Sequence, residues 1–150
     1  LQVTTAESCT GGLLAKMLTD VPGSSAYFKT GFITYANQSK YERLGVNMEI
    51  INIYGAVSEP VVTAMSSNAL KLAKAHIALA ISGVAGPDGG TATKPVGMVC
   101  IAIAHKDSQD VKVTARTFNF PGDRDMVRDR SAKMALSMLR YHLLGQKMPF

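Results

Sequence analysis

The run Ala6-Glu7-Ser8-Cys9-Thr10-Gly11-Gly12 connects two segments of different character. Leu1 to Thr5, before it, is typical of a short β-strand, and Leu13 to Leu18, after it, has the apolar character of a helix. The run therefore predicts a strand-to-helix turn that carries two hydroxyls and a thiol. The first turn of a helix presents free backbone N–H groups and a partial positive charge. Such a turn can bind a phosphate, or it can hold a nucleophile beside an oxyanion hole.

Segments typical of strands and helices alternate along the rest of the chain. The further predicted strands are Tyr27 to Tyr35, Ile77 to Ile81, Val96 to Ala104 and Val111 to Phe120. The predicted helices are Gly11 to Thr19, Asn37 to Leu44 with Asn37 as its cap and Gly45 as its end, Met48 to Ile53, one capped by Ser58, and Arg124 to Leu144 capped by Asp123. This order predicts a single three-layer α/β/α domain around a mixed sheet over residues 1–150.

The composition narrows the classes of function. The net charge is only +5, tryptophan is absent and no stripe mixes aromatic with basic residues, so we expect no nucleic-acid partner. No apolar run reaches the roughly 18 residues of a membrane span, and no signal peptide is found, so we expect no membrane partner. The two cysteines, Cys9 and Cys100, indicate reduced thiols and a cytoplasmic location. Because the chain begins without methionine and inside a strand, we expect a helix to precede it.

Three polar clusters follow predicted strands. They are Glu7 to Gly12, Tyr35 to Lys40, and Ser82 to Gly90 with Lys94 beyond it. In open α/β sheets, ligands gather beyond the carboxyl ends of the strands. We therefore expect the three clusters to form one site. No cluster of cysteines and histidines has the spacing of metal ligands, so no metal is expected in it.

Ser8 is a candidate nucleophile, and a nucleophilic serine needs a base. The histidines are poorly placed for this role, since His76 is predicted at a helix end, His105 in a hairpin turn and His142 near the C-terminus. A lysine can act instead when its pKa is lowered by burial, and Lys40 follows the strand that ends at Tyr35. The tyrosine hydroxyl could then relay or orient a proton. The alternative is a solvated lysine and a tyrosine that only packs.

Other residues of these clusters have competing interpretations. Cys9 rivals Ser8, because a thiol at a helix N-terminus can be reactive, but it can equally be a small buried residue. The glycine pairs can serve a ligand or only supply turn geometry. Arg124 can clamp a phosphate bidentately or remain solvated. The loop from Gly83 to Gly90 lacks a Gly-Lys-Ser/Thr ending, so it is not a Walker phosphate loop.

Five motifs, taken in order, resemble the C-terminal domain of the CinA (competence/damage-inducible) proteins, from Thr5 to about Leu144. The motifs are Thr5-Ala6-Glu7-Ser8-Cys9-Thr10-Gly11-Gly12, Gly31-Phe32-Ile33-Thr34-Tyr35, Gly55-Ala56-Val57-Ser58-Glu59, Ser82-Gly83-Val84-Ala85-Gly86-Pro87-Asp88-Gly89-Gly90 and Lys94-Pro95-Val96-Gly97. The resemblance implies a mixed, mostly parallel five-stranded sheet and a homo-oligomer. It also implies nicotinamide-nucleotide amidohydrolase activity without a cofactor, converting nicotinamide mononucleotide and water into nicotinate mononucleotide and ammonia within pyridine nucleotide recycling.

The resemblance also implies roles for individual residues. The family's serine nucleophile falls on Ser8, its lysine on Lys40 and its supporting tyrosine on Tyr35. The residues expected to bind substrate are Cys9, Thr10, Gly11, Gly12, Ser82, Gly83, Gly86 and Arg124. The choice of Ser8 over Cys9 rests at this point on the resemblance alone.

Two other functions remain open from the sequence. One is a nucleotide-binding or regulatory module, or an inactive paralogue, which would use the same loops and leave Lys40 in solvent. The other is an amidase for a different small amide, which would differ only in its phosphate contacts. A lysine ammonium within about 2.6–3.2 Å of the serine hydroxyl would favour catalysis.

Overall fold

The computed structural model describes residues 1–150, and its elements follow one another in the predicted order. The strands are β1 (Val3–Glu7), β2 (Phe28–Ile33), β3 (Ile77–Gly83), β4 (Met98–Asp107) and β5 (Asp110–Asn119). The helices are α1 (Leu13–Thr19), α2 (Asn37–Leu44), α3 (Met48–Tyr54), α4 (Glu59–Leu72) and α5 (Arg124–Leu143), with a short 3-10 turn at Ser24–Ala26. The first strand extends further than predicted because β1 pairs with β2 and β3 as far as Glu7.

The sheet has five strands in the order β2-β1-β3-β4-β5. Strand β1 pairs in parallel with β2 and β3, whereas β4 is antiparallel to both β3 and β5. The sheet is therefore mixed, as predicted. The description "mostly parallel" holds for strand direction, because only β4 runs against the others, but just half of the neighbouring pairs are parallel.

The two faces of the sheet carry side chains of different size. Ile77, Leu79 and Ile81 of β3 pack in the cluster that contains the buried residues of α1 and α5. The alternate residues, Ala78 and Ala80, pack in the cluster on the α4 side. Successive side chains of a strand point to opposite faces, so a strand covered by helices on both faces is apolar throughout. The small alanines leave room for α4 to lie close to the sheet.

Helix α1 begins at Leu13 rather than at the predicted Gly11, because Gly11 and Gly12 have left-handed φ values that an α-helix does not allow. Of the four capping or ending residues predicted for the other helices, three agree with the structure and one does not. The Ser58 hydroxyl accepts from the Val61 N–H at 3.4 Å, and the Asp123 carboxylate accepts from the Met126 N–H at 2.9 Å. Gly45 ends α2 with a left-handed φ of 64°. The prediction that Asn37 caps this helix is wrong. Ala36 is the cap, because its extended backbone precedes the first turn and its carbonyl accepts from the Lys40 N–H.

The carboxyl ends of β1, β2 and β3 lie side by side at one edge of the sheet, since the three strands are parallel neighbours. The three polar clusters of the sequence follow these three ends. The fold therefore brings them together, as the sequence predicts. None of the helices combines the length and the apolar character that crossing a membrane requires.

Candidate active site

The side chain of Lys40 lies inside the protein and points at Ser8. Lys40 is 0% exposed, and its ammonium Nζ donates to Ser8 Oγ at 3.0 Å. The same Nζ donates to the carbonyl oxygens of Thr34 at 2.8 Å and Tyr35 at 3.2 Å. Helix α2 supplies the lysine from its first turn, and the end of β2 supplies the carbonyls. The alternative in which Lys40 lies in solvent is therefore wrong.

Burial changes the acid-base chemistry of this lysine. Removal from water lowers the pKa of Lys40 from 10.5 to about 8, because desolvation disfavours the charged ammonium. No carboxylate forms an ion pair with it, and its three hydrogen bonds go to uncharged oxygens. A substantial fraction of the side chain is therefore neutral near pH 8. A neutral amine 3.0 Å from a hydroxyl can accept its proton.

Tyr35 contacts the lysine and the serine through its backbone. Its carbonyl accepts from Lys40 Nζ at 3.2 Å and from Ser8 Oγ at 3.4 Å. Its hydroxyl instead accepts from Arg124 Nη2 at 2.9 Å, and the residue is 58% exposed. The expected proton relay through the tyrosine hydroxyl is absent from this arrangement, because β2 ends at Ile33 and the ring then points out of the buried pair.

Cys9 lies on the other side of the turn from Ser8. Its side chain packs in the apolar cluster between the sheet and helices α1 and α5, and the residue is 5% exposed. Desolvation raises the pKa of the Cys9 thiol from 9.0 to about 11. The thiolate is the nucleophilic form of cysteine, and it is scarce at neutral pH in this position. The geometry thus favours Ser8 as the nucleophile, on grounds independent of any family resemblance.

The turn after Ser8 is held by a buried carboxylate. Glu7 is 0% exposed, and its Oε1 accepts from Thr10 Oγ1 at 2.8 Å and from the Leu14 N–H at 2.7 Å. Its Oε2 accepts from the Ala15 N–H at 3.2 Å. Sequence reasoning gave Glu7 no role of its own. The signal available was an acidic residue within an otherwise buried strand, since such a group must find partners.

The free N–H groups of this region lie in the turn itself. The first N–H groups of α1 are already bound by Glu7, so the helix end is not open to a ligand, in contrast to the expectation. The N–H groups of Cys9, Thr10 and Gly12 donate to no acceptor in the chain. Gly11 and Gly12 have φ values of 60° and 101°, which other residues rarely adopt. These glycines give the turn its shape and leave its donors available.

The third polar cluster forms another wall of the site. Ser82 is 1% exposed at the end of β3, one strand away from Ser8. A Cβ on Gly83 would lie 2.6 Å from Val99 Cγ2, so only glycine fits where the chain leaves the sheet. The carbonyl of Gly86 accepts from Arg124 Nη1 at 2.7 Å. Arg124 thus joins this loop to the Tyr35 hydroxyl across the site.

A second arginine of α5 contacts the turn, and sequence reasoning did not single it out. Arg128 is half-buried, and it donates from Nε to the Cys9 carbonyl and from Nη2 to the Thr10 carbonyl, each at 3.1 Å. It lies one helical turn after Arg124, and residues four apart share a helix face. That spacing was the signal that could have identified it.

The three histidines lie far along the sheet from this site. His76 precedes β3 and its Nδ1 accepts from the Gln2 N–H at 3.0 Å. His105 pairs with Ile77 at the opposite end of β3 from Ser82, and it lies in β4 rather than in the predicted hairpin turn. Its ring contacts that of His142, with ring centroids 4.3 Å apart. No group of three or more histidine, cysteine, aspartate or glutamate side chains is arranged to hold a metal ion.

The chain matches the CinA C-terminal domain over residues 1–143. It belongs to this family. Its CinA relatives include the nicotinamide-nucleotide amidohydrolase PncC of Escherichia coli K12, which is 51% identical over 137 residues. That match covers 91% of this chain and 81% of the relative.

Other CinA proteins are considerably longer than this chain. A CinA-like protein of Mycobacterium marinum is 49% identical over 139 residues, which are 93% of this chain but only 32% of the relative. Among solved structures, the competence/damage inducible protein CihA of Agrobacterium tumefaciens superposes with a TM-score of 0.89 at 41% identity. That superposition covers 93% of this chain and 84% of the other.

Proposed function

We propose that this chain is a nicotinamide-nucleotide amidohydrolase that uses Ser8 as nucleophile and Lys40 as base. The observation that carries the proposal is the buried Lys40 ammonium 3.0 Å from the Ser8 hydroxyl. The 51% identity to PncC supports nicotinamide mononucleotide as the substrate. Water would convert it to nicotinate mononucleotide and ammonia, a reaction suited to pyridine nucleotide recycling.

The proposed chemistry proceeds through an acyl-enzyme. Neutral Lys40 takes the proton from Ser8 Oγ, and Oγ attacks the carboxamide carbon. The resulting oxyanion accepts hydrogen bonds from the free N–H groups of the turn. Lys40 then returns the proton to the leaving nitrogen, the C–N bond breaks and ammonia departs. A water molecule deprotonated by Lys40 attacks the ester, and the serine leaves with that proton.

The proposed substrate contacts lie around this pair. Arg124 and Gly86 flank the mouth of the site, and the arginine can bind a phosphate bidentately once it exchanges its bond to the Tyr35 hydroxyl. The remaining proposed contacts come from Ser82, Gly83 and the turn residues Thr10, Gly11 and Gly12. Cys9 would contribute its backbone N–H alone, because its side chain packs on the other face. No cofactor is needed for these steps, and a cytoplasmic homo-oligomer stays a prediction.

The rival function, a non-catalytic nucleotide-binding module, has no need of a buried lysine. Holding Lys40 out of water costs free energy that its three hydrogen bonds offset only in part, and a binding module gains nothing from that cost. In a hydrolase the same burial yields a base that is partly neutral near physiological pH. This observation favours catalysis over binding alone.

The proposal is tested by ammonia release from nicotinamide mononucleotide. We expect turnover by the wild-type chain and loss of activity in Ser8→Ala, with Cys9→Ala as the adjacent control that keeps it. Full activity in Ser8→Ala would refute the serine mechanism. Faster turnover of free nicotinamide than of its mononucleotide would instead assign the chain to a different small amide.

A further inference from the structure

Two carbonyl oxygens of the turn face helix α5, where one guanidinium binds both. Arg128 Nε donates to the Cys9 carbonyl and Nη2 to the Thr10 carbonyl, each at 3.1 Å. The guanidinium lies close along the turn, because a Cβ built on Gly11 would be 3.5 Å from Nη2. These bonds join residues more than a hundred positions apart in the chain. Arg128 therefore fixes two successive peptide planes.

The orientation of those planes decides where the turn's donors point. In a planar trans peptide, the C=O and the following N–H point in opposite directions. The Cys9 carbonyl points to α5, so the Thr10 N–H points away from α5, which is the side of the sheet where Lys40 meets Ser8. This N–H has no acceptor within the chain. The Thr10 hydroxyl is fixed separately by its bond to Glu7 at 2.8 Å.

We propose that Arg128 is a positioning residue that aims the Thr10 N–H at the oxyanion formed when Ser8 attacks a carbonyl. The inference rests on the proposed amide hydrolysis and deepens it. The guanidinium acts in two ways. It prevents the Cys9–Thr10 peptide from rotating, and its charge polarises that peptide so that the N–H becomes a stronger donor.

Arg124 and Arg128 then have separable effects, although both lie on α5 one turn apart. Arg124 contacts Gly86 and the exposed Tyr35 hydroxyl at the mouth of the site. The hydrogen bonds of Arg128 go to the backbone carbonyls of the turn. These donors are therefore not available to the remote groups of the substrate. We expect Arg124→Ala to raise KM, and Arg128→Ala to lower kcat with little change in KM.

The kinetic test compares Arg128→Ala and Arg128→Lys with Arg140→Ala, which removes an exposed arginine of the same helix. We expect kcat to fall about 100-fold in Arg128→Ala and KM to change less than about threefold, as for a misplaced oxyanion donor. Lysine should restore little, since one ammonium cannot reproduce the planar two-point contact. Millimolar methylguanidinium should restore part of kcat in Arg128→Ala. Unchanged kcat in a folded Arg128→Ala variant would overturn the proposal.

A boronate probe separates this inference from the choice of substrate. Pyridine-3-boronic acid presents a trigonal boron where the nicotinamide has its carboxamide carbon. Ser8 Oγ forms a bond to boron and passes its proton to Lys40, giving a tetrahedral anion whose hydroxyl occupies the oxyanion position. We expect Arg128→Ala to weaken this adduct about 100-fold and Arg140→Ala to leave it unchanged.

The two assays together distinguish the failures. In one outcome, Arg128→Ala binds the boronate more weakly than wild type, but wild type releases no ammonia from nicotinamide mononucleotide. That result refutes the proposed substrate and supports the role of Arg128. A wild-type chain that deamidates the nucleotide while both wild type and Arg128→Ala bind the boronate equally refutes the role of Arg128. Thermal unfolding of each variant shows that the comparison is made between folded proteins.

Discussion

Ser8 and Cys9 are neighbours in the chain, yet they lie in opposite environments. The Ser8 hydroxyl meets a buried lysine at 3.0 Å on one side of the sheet. The Cys9 thiol packs among apolar side chains against α1 and α5 on the other side. Strand β1 ends at Glu7, and the turn that begins at Ser8 directs the two side chains to different sides. From the sequence, the Ser8 hydroxyl and the Cys9 thiol are both candidate nucleophiles, but the fold gives only the hydroxyl a hydrogen bond to Lys40.

The same physical cause acts on both sides with opposite chemical results. Burial disfavours charge, so it lowers the pKa of Lys40 to about 8 and raises the pKa of Cys9 to about 11. On the lysine side, burial yields a base that can activate a hydroxyl. On the cysteine side, it suppresses the thiolate, which is the reactive form. Desolvation therefore distinguishes the two candidate nucleophiles as much as residue type does.

The largest expected effect follows from removing Lys40, the proposed base. Lys40→Met keeps a long side chain in the buried space but cannot accept a proton. We expect kcat/KM for ammonia release to fall by about 1,000-fold or more, in line with the loss of a general base. The matched control is Lys71→Met, which removes an exposed lysine of α4 and should keep full activity. A Lys40→Met variant with more than about a tenth of wild-type activity would break the comparison.

The next effect concerns the pH dependence of the free energy of unfolding, to which Lys40 and Cys9 contribute with opposite signs. The folded-state pKa of Lys40 is depressed, so between about pH 8 and pH 10.5 the unfolded chain binds more protons and stability rises with pH. The folded-state pKa of Cys9 is raised, so between about pH 9 and pH 11 the folded chain binds more protons and stability falls with pH. Each contribution is about 3 kcal/mol.

Urea unfolding across this pH range measures both contributions by difference. Subtracting Lys40→Met from wild type should leave a curve that rises from about pH 8, and subtracting Cys9→Ala should leave one that falls from about pH 9. Other lysines and tyrosines titrate in this range, but they cancel in the differences. Two curves with the same sign would show that burial does not act on the two groups as described.

The smallest expected effect is on the cysteine side. Cys9→Ala should change kcat/KM for ammonia release by less than about threefold, because the thiol does not face the reacting atoms. It should lower the free energy of unfolding by about 1 kcal/mol through lost packing in the core. Thiol titration of the folded wild type at pH 8 should be slow at this residue. Loss of activity in Cys9→Ala comparable with that of Ser8→Ala would transfer the nucleophile to the thiol.

Much of the fold could be predicted from the sequence, because it depends on local patterns. Local sequence was sufficient to predict the apolar strand β3, the caps Ser58 and Asp123, and the left-handed glycine Gly45 at the end of α2. Asn37 was predicted as the cap because asparagine is a good capping residue, but the cap is Ala36, one position earlier, whose side chain carries no capping signal. The meeting of the three polar clusters also followed from sequence, since parallel strands bring their carboxyl ends together.

The details of the site depend on contacts between distant parts of the chain, and these were harder to predict. The direction of the Lys40 side chain is set by the carbonyls at the end of β2. The role of Arg128 requires α5 to pack beside the turn, 119 positions away from Cys9. The Tyr35 hydroxyl bonds to Arg124 for the same reason. Residue types indicated the chemistry, and only packing could show which atoms meet.

The most direct test of the central claim, that burial makes Lys40 the base for Ser8, is the pH dependence of kcat/KM for ammonia release from nicotinamide mononucleotide. The free enzyme's base must be neutral to act, so we predict a rising limb with an apparent pKa near 8. Any residual activity of Lys40→Met should lack this limb. A limb near pH 6.5, the ordinary pKa of histidine, or one that persists in Lys40→Met would contradict the account.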